Sequence, residues 1–370
     1  MSFKAVENKF TNNFSTGLDL FLNNASRSPI PLSHKKIIED YLVEWARAKH
    51  DPYYYNFNHA DMLKQQIGRF VNCDTNKIAI GTNVADGFSN LINGLSWKDN
   101  DEVLLTHEDY PSVTLPFHTQ QSPSIKWIKP INGIATIEAI QNVLTPQVKA
   151  IAISWVNYTT GQVNPIPAIS KLCQKHNILL LVDATQALGV LPIDLSNVHI
   201  DYVTASLYKW CFCPQGTAIS IFSNKLLNQV NPIGSGVFSQ HDRQLRYSPN
   251  QPANSAQKFE FGNLNILGIM LAYETFKWFN EVSIHLIHST LTNLTQEILK
   301  LLTEKCYKYP VKYNEEHESS IISFIHPNSE EFMKQLHSQG GSATYRHGLV
   351  RLSPGIYQTE TTIKTLSTIL

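Results

Sequence analysis

Two stretches of this sequence place an acid and an amine where they could share one site. The apolar run Leu179-Leu180-Leu181-Val182 ends on Asp183, with Gln186 one turn further on. A later run closes on Ser206-Leu207-Tyr208-Lys209-Trp210. If both runs are strands of one parallel sheet, Asp183 and Lys209 arrive at its carboxyl edge, where such sheets bind ligands. A lysine set between Tyr208 and Trp210 is open to desolvation, which disfavours the ammonium and leaves a neutral amine able to attack an aldehyde.

That pair suits pyridoxal phosphate, whose aldehyde needs an amine and whose ring nitrogen must stay protonated to draw electrons from a substrate carbanion. The cofactor makes further demands, and each has a candidate. Phosphate calls for backbone N–H groups and hydroxyls: Ile80-Gly81-Thr82-Asn83-Val84-Ala85 reads as a strand entering a helix, and Ser206 adds a hydroxyl. The ring calls for a flat partner, which Tyr110 in His107-Glu108-Asp109-Tyr110-Pro111 can be. An amino-acid carboxylate calls for the planar fork of an arginine, offered by Arg351 in Leu349-Val350-Arg351-Leu352-Ser353-Pro354. Singly, each residue has a plainer reading: Lys209 as a surface lysine with its stem on Trp210, Tyr110 as core, Arg351 as an ion-pair partner. Their order along the chain is what joins them.

The elements that must position these residues alternate. Apolar, β-branched runs at 77–80, 102–106, 125–128, 149–154, 178–182, 202–205 and 217–222 are separated by helical patterns, which argues for an α/β fold on a mostly parallel central sheet with flanking helices. Several runs are continuously apolar, as in strands covered on both faces. Ser33 is placed to cap a helix with Ile37, Ile38, Tyr41, Leu42 and Trp45 on one face, and 135–144 and 165–176 read as helices too. Beyond residue 262, helical stretches at 265–282 and 284–305 precede strand signals at 321–325 and 349–352 and a closing helix near 360–370. The expected division is a large α/β domain over 34–262 and a smaller α+β domain formed by 1–33 with 263–370.

With 370 residues, 42% of them hydrophobic, the chain can bury a large core without disulfides. Thirty basic residues balance thirty acidic ones, so no net field draws nucleic acid or an anionic membrane. No apolar run approaches the ~20 residues of a membrane helix. The polar start, 1–13, lacks a secretory apolar region, and the five scattered cysteines point to reduced thiols, so a cytoplasmic location is expected. Dinucleotide, P-loop and zinc-protease motifs are missing. Cys211 and Cys213 stand too close for a metal knuckle and read as packing, so no metal site is expected.

The segment Asp183-Ala184-Thr185-Gln186-Ala187-Leu188-Gly189, followed by Pro192-Ile193-Asp194-Leu195, Asp201-Tyr202 and Ser206 to Trp210, resembles the signature of class V aminotransferases, which are fold type I pyridoxal phosphate enzymes. The likeness covers nearly the whole chain. Phe21-Leu22-Asn23-Asn24-Ala25-Ser26 is similar to the family's opening strand, and Lys258-Phe259-Glu260-Phe261-Gly262-Asn263 to the loop that reaches a partner subunit's phosphate site. Arg351-Leu352-Ser353-Pro354 with Tyr357 resembles the carboxylate-binding motif. The resemblance implies that Lys209 forms the aldimine with the cofactor, Asp183 bonds the pyridine nitrogen, Gln186 neighbours the ring hydroxyl and Tyr110 stacks on the ring. It further implies that Ser206, Tyr208 and the backbone of Val84 and Ala85 hold the phosphate, and that Arg351 takes the carboxylate of a small amino-acid substrate. A homodimer with shared active sites, in which Asn263 serves the other chain, is implied as well.

Departures from the family pattern bear on the reaction. Val84 and Ala85 stand where relatives often carry a hydroxyl residue, Tyr208 where many carry histidine, and Tyr110 in place of the stacking histidine of cysteine desulfurases. Those desulfurases also carry a nucleophilic cysteine on a loop before the arginine; no cysteine follows Cys306 here, which speaks against persulfide chemistry. Asn157-Tyr158-Thr159-Thr160-Gly161-Gln162 with Tyr208-Lys209 resembles kynureninases. An enzyme acting at Cα of an amino acid is expected. The family's name and breadth favour transamination, with C–S or C–C lyase and epimerase chemistry as alternatives. A cofactor-binding sensor without turnover is a further reading, against which intact Lys209, Asp183 and Arg351 argue.

Overall fold

In the computed structural model of the chain, residues 10–49, 52–118, 123–242, 251–313 and 319–370 are described, the side chains of 52–57 excepted. Seven strands form one sheet: β1 (Ile78–Gly81), β2 (Glu102–Thr106), β3 (Ser124–Ile128), β4 (Val148–Ser154), β5 (Leu179–Asp183), β6 (Tyr202–Ser206) and β7 (Ala218–Phe222), in the order β1-β7-β6-β5-β4-β2-β3. β6, β5, β4, β2 and β3 pair in parallel, whereas β7 runs antiparallel to both β6 and β1. All strands but β7 therefore point the same way, and each expected strand is present with ends within one residue of expectation.

These segments are strands because successive residues feed opposite faces and both faces are buried. Ile78, Ile80, Leu104, Ile151, Ile153, Leu180 and Val182 join one core layer with Leu63 and Ile67 of helix Pro52–Val71 and Ile269 and Phe276 of helix Ile266–Val282. The alternate residues Ala79, Val103, Leu105, Ala150, Ala152 and Leu181 join the other, under Phe88 and Leu91 of helix Val84–Gly94. Each fully buried large aliphatic side chain stabilises the fold by about 1.5–3 kcal/mol relative to exposure.

A second sheet, antiparallel and ordered β8 (Ile322–Phe324), β10 (Leu349–Leu352), β9 (Thr344–Arg346), packs with helices Ile284–Glu304, Ser329–Ser338 and Glu360–Ile369. Leu20 and Leu22 from the start of the chain lie in this third apolar cluster. The opening segment makes two parallel bridges, Phe21 to Ser342 and Asn23 to Ser353, and not the full strand expected of it. β9 and helix Ser329–Ser338 carried no signal strong enough to be read beforehand.

Helix Leu32–Ala46 departs from expectation in its cap and its face. Pro31, not Ser33, precedes it, because Leu32 N donates to Asn13 O at 2.7 Å and Ser33 N to Asn13 Oδ1 at 3.3 Å. Its buried residue is His34, whose ring bonds Phe212 O and Thr275 Oγ1, each at 3.2 Å. That polar anchor sets the helix rotation and leaves Leu42 50% and Trp45 64% exposed, where periodicity alone would bury them. Among the described residues no helix is long and apolar enough to cross a membrane.

Candidate active site

The carboxyl ends of five of the six co-directional strands, all but β3, converge on one cavity of ≈ 220 Å³. β1 leads into Asn83 and Val84, β2 into Tyr110 and Ser112, and β4 ends on Ser154 before Val156 and Tyr158. β5 ends on Asp183 ahead of Thr185 and Gln186, and β6 ends on Ser206 ahead of Tyr208 and Lys209; all of these residues border the cavity. Residues far apart in the chain meet because parallel strands bring their ends to a common edge.

Lys209 is buried, with Nζ 5.5 Å from the Tyr110 ring centre and 5.6 Å from that of Tyr208. Burial pushes its pKa down to about 8, opposed by Asp183 and assisted by the charges of Arg351 and Arg346. Its carbonyl accepts from the Ser28 hydroxyl. No ion pair among the described residues includes Lys209, so the buried amine borders the cavity without a carboxylate partner.

Asp183 is buried, and burial raises its carboxyl pKa while bonds from Thr185 and the Lys209 charge pull it back. One carboxylate oxygen accepts from Thr185 N at 2.8 Å, and the Thr185 hydroxyl accepts from Ser206 N at 3.1 Å. Thr185 therefore ties the end of β5 to the end of β6. The resemblance of the Asp183–Gly189 segment implies no role for this residue. Gln186 Nε2 donates to Ala25 O at 3.0 Å, and its Oε1 accepts from Trp210 Nε1 at 2.8 Å.

Helix Val84–Gly94 aims its N-terminus at the cavity, capped by Asn83 Oδ1 accepting from Asp86 N at 2.9 Å. It sits close on β6 because position 87 is glycine: a Cβ there would stand 2.5 Å from Tyr202 Oη. Val84 lines the cavity; Ala85 lies one residue beyond the lining.

Tyr110 packs edge-on to Tyr158, centroids 5.2 Å apart. The residue before it, Asp109, is a buried carboxylate that the sequence did not single out. Its Oδ1 accepts from Ser154 N at 2.9 Å and its Oδ2 from Thr106 Oγ1 at 2.8 Å, so it fastens the Tyr110 loop to the ends of β4 and β2. Burial pushes its pKa up to about 6 despite those bonds, with the Asp183 charge adding to the rise.

Arg351 is buried on β10 and borders the site through Tyr158, whose carbonyl accepts from Nη1 at 2.5 Å. Nη2 donates to Ser26 Oγ at 2.7 Å and Thr344 Oγ1 at 3.2 Å, and Nε has no partner. All its acceptors are neutral, and burial lowers its pKa to about 10. A buried guanidinium with an open donor and no carboxylate partner has the chemistry to receive an anion. Asn263 lies outside the cavity, in a recess of ≈ 430 Å³ shared with Gly81, Thr82 and Asn83.

None of the five thiols borders the cavity. Cys173, Cys211 and Cys213 are buried in the core, where burial raises each thiol pKa, that of Cys173 to about 12; Cys73 is half-buried and raised to about 11, and Cys306 is exposed.

A buried amine, a buried carboxylate, a helix N-terminus and a flat aromatic ring in one cavity fit pyridoxal phosphate group by group. The family model "Aminotransferase class-V" matches residues 20–366. A Borreliella burgdorferi protein named "Probable cysteine desulfurase" is 26% identical over 345 residues, 88% of this chain and 80% of its own. Two solved structures share the fold: a cysteine desulfurase from Thermococcus onnurineus, with TM-score 0.86 and 16% identity over 100% of this chain and 97% of that one, and the cystine C–S lyase C-DES, with TM-score 0.83 and 20% identity over 94% and 96%. Chemistry at the sheet edge and a family match spanning both sheets thus agree, and the chain belongs to the class-V aminotransferase family of pyridoxal phosphate-dependent enzymes, with the fold type I architecture.

Proposed function

We propose that this enzyme is a C–S lyase: it eliminates the sulfur substituent from Cβ of a cysteine-derived amino acid and releases it without passing it through a thiol of its own. The observation that carries this reading is the placement of the cysteines, all of them away from a cavity whose amine and carboxylate are otherwise complete. The names of the desulfurase and C–S lyase relatives supply the bond.

Bound in the cavity, pyridoxal phosphate supplies an aldehyde and an electron-withdrawing ring that acidifies the substrate's Cα–H bond. Lys209 Nζ takes that proton, a task suited to an amine whose pKa burial has brought to about 8. The substrate would then lose its sulfur substituent together with the Cβ–S electron pair, and addition of water to the released carbon skeleton would give a keto acid and ammonium. Asp183 keeps the ring nitrogen protonated, Gln186 neighbours the ring hydroxyl and Tyr110 covers the ring. Ser206, Tyr208 and the backbone of Val84 and Ala85 hold the phosphate, and Arg351 orients the substrate carboxylate.

We also infer a homodimer in which Asn263 serves the partner's phosphate site, a role for which it is free because it lies outside this chain's own cavity. A large unit, 34–262, and a small one, 1–33 with 263–370, are inferred as well, with helix Ile266–Val282 of the small unit packed against the large sheet.

The test is turnover of L-cysteine and L-cystine by the holoenzyme and by a variant with all five cysteines replaced by serine or alanine. Equal yields of sulfide or persulfide and pyruvate from both proteins are expected. Sulfur release that stops with the cysteines removed, in a variant that still binds cofactor, would refute the thiol-free route. Keto acid formed only when an amino acceptor is added, with no sulfur released, would make the enzyme an aminotransferase.

A further inference from the structure

The hairpin that carries Arg351 carries a second guanidinium. β9 and β10 pair with Thr344 opposite Arg351 and Arg346 opposite Leu349. Residues two apart in a strand share a face. Thr344 turns its hydroxyl to Arg351 Nη2 at 3.2 Å, so Arg346 rises from that same face, nearer the turn. The turn itself is tight, with φ of +53° at His347 and +78° at Gly348, which holds Arg346 in a set relation to the strand bearing Arg351.

Arg346 is exposed, and among the described residues no ion pair includes it or Arg351. Its charge reaches into the site, lowering the pKa of Lys209 and of Arg351 alike. Two unpaired guanidinium groups on one hairpin repel each other until anions join them. An α-carboxylate answers one; the other calls for a second anion further along the substrate.

We propose that Arg346 is the specificity residue of this site, taking an anionic group carried on the sulfur substituent while Arg351 takes the α-carboxylate. The substrate class is then cysteine derivatives whose sulfur bears a carboxylate-containing group, disulfide and thioether amino acids among them, in preference to those with a neutral alkyl substituent. This assignment rests on the C–S lyase reading for the bond broken, but not for the charge recognised.

The two are separated by unreactive ligands. L-2-Aminoadipate and L-norvaline copy S-carboxymethyl-L-cysteine and S-methyl-L-cysteine with carbon in place of sulfur, so they can bind without elimination. Calorimetric titration of the holoenzyme is expected to show aminoadipate binding about fivefold more tightly than norvaline, the effect of one partly exposed charge pair. Arg346→Gln brings that ratio close to one, Arg346→Lys recovers part of it, and raised salt shrinks it. A ratio of one in the unaltered enzyme, or a preference that survives Arg346→Gln, overturns the assignment. If the ratio behaves as expected while neither cysteine derivative releases sulfur, the lyase reading falls and the Arg346 assignment stands.

Discussion

The indole of Trp210 donates to Oε1 of Gln186 at 2.8 Å, and Gln186 Nε2 donates in turn to Ala25 O at 3.0 Å. Trp210 follows Lys209 and Gln186 stands one turn after Asp183, so a single buried carboxamide joins the lysine loop to the loop that carries the acid. A carboxamide has two donor hydrogens and two acceptor lone pairs. One of each is used within the protein, which leaves one of each for a ring hydroxyl.

Trp210→Phe removes this bond while keeping an aromatic ring in place. Stability is expected to fall by about 0.5–1.5 kcal/mol, the net worth of one hydrogen bond. Because the residue beside Lys209 loses its anchor, kcat should fall more than KM rises. Denaturant unfolding and steady-state kinetics read the two effects separately.

Lys209→Ala should abolish the imine absorbance of the bound cofactor and slow keto acid release by a factor of about 10²–10⁴, the range of a positioned proton-transfer group. In the unaltered apoprotein, only the neutral amine reacts with added pyridoxal phosphate. With the pKa at about 8, the loading rate should climb roughly tenfold per pH unit below that value and level off above it. A loading rate flat from pH 6 to 9 would contradict the desolvated amine.

Asp109 offers a test by pH and stability. Its pKa rises from 3.8 in the unfolded chain to about 6 when folded, so the folded state binds the proton more tightly. The resulting stability is present below pH 3.8 and is lost as pH rises through about 6. Asp109→Asn keeps an acceptor for Ser154 N and removes the buried charge. The variant should therefore be more stable than the parent above pH 6, by up to about 3 kcal/mol, with the advantage shrinking towards pH 4. Melting temperatures across pH 4–8 check the sign.

Arg351→Lys replaces a planar fork with a point charge. Losing one charge-assisted hydrogen bond should raise KM for the amino acid about 10- to 100-fold while leaving cofactor absorbance intact. A change confined to cofactor binding would place Arg351 at the phosphate and not at the substrate.

Much of this was legible beforehand because it is local. Continuously apolar runs became strands with both faces covered, and residues at the ends of those runs became the cavity wall, since a parallel sheet delivers its strand ends to one edge. Asp183, Ser206, Tyr208, Lys209 and Tyr110 needed no more than that. Helix Leu32–Ala46 shows where periodicity misleads: an apolar stripe says which side could be buried, but the His34 contacts to Phe212 and Thr275 choose the rotation.

Run by run, residue type and spacing specify strands, helices and which side chains can do chemistry, because those depend on neighbours a few positions away. Asp109 as a clamp, Thr185 as a strut, and Ser26 and Thr344 around Arg351 had no such signal. Ser26 and Arg351 stand 325 residues apart, and a serine shows nothing of its role until the chain has closed around it. The bond from Arg351 to the Tyr158 carbonyl and that from Gln186 to Ala25 belong to the same class. Each is a relation between distant segments, set by packing of the two sheets and not by any local pattern.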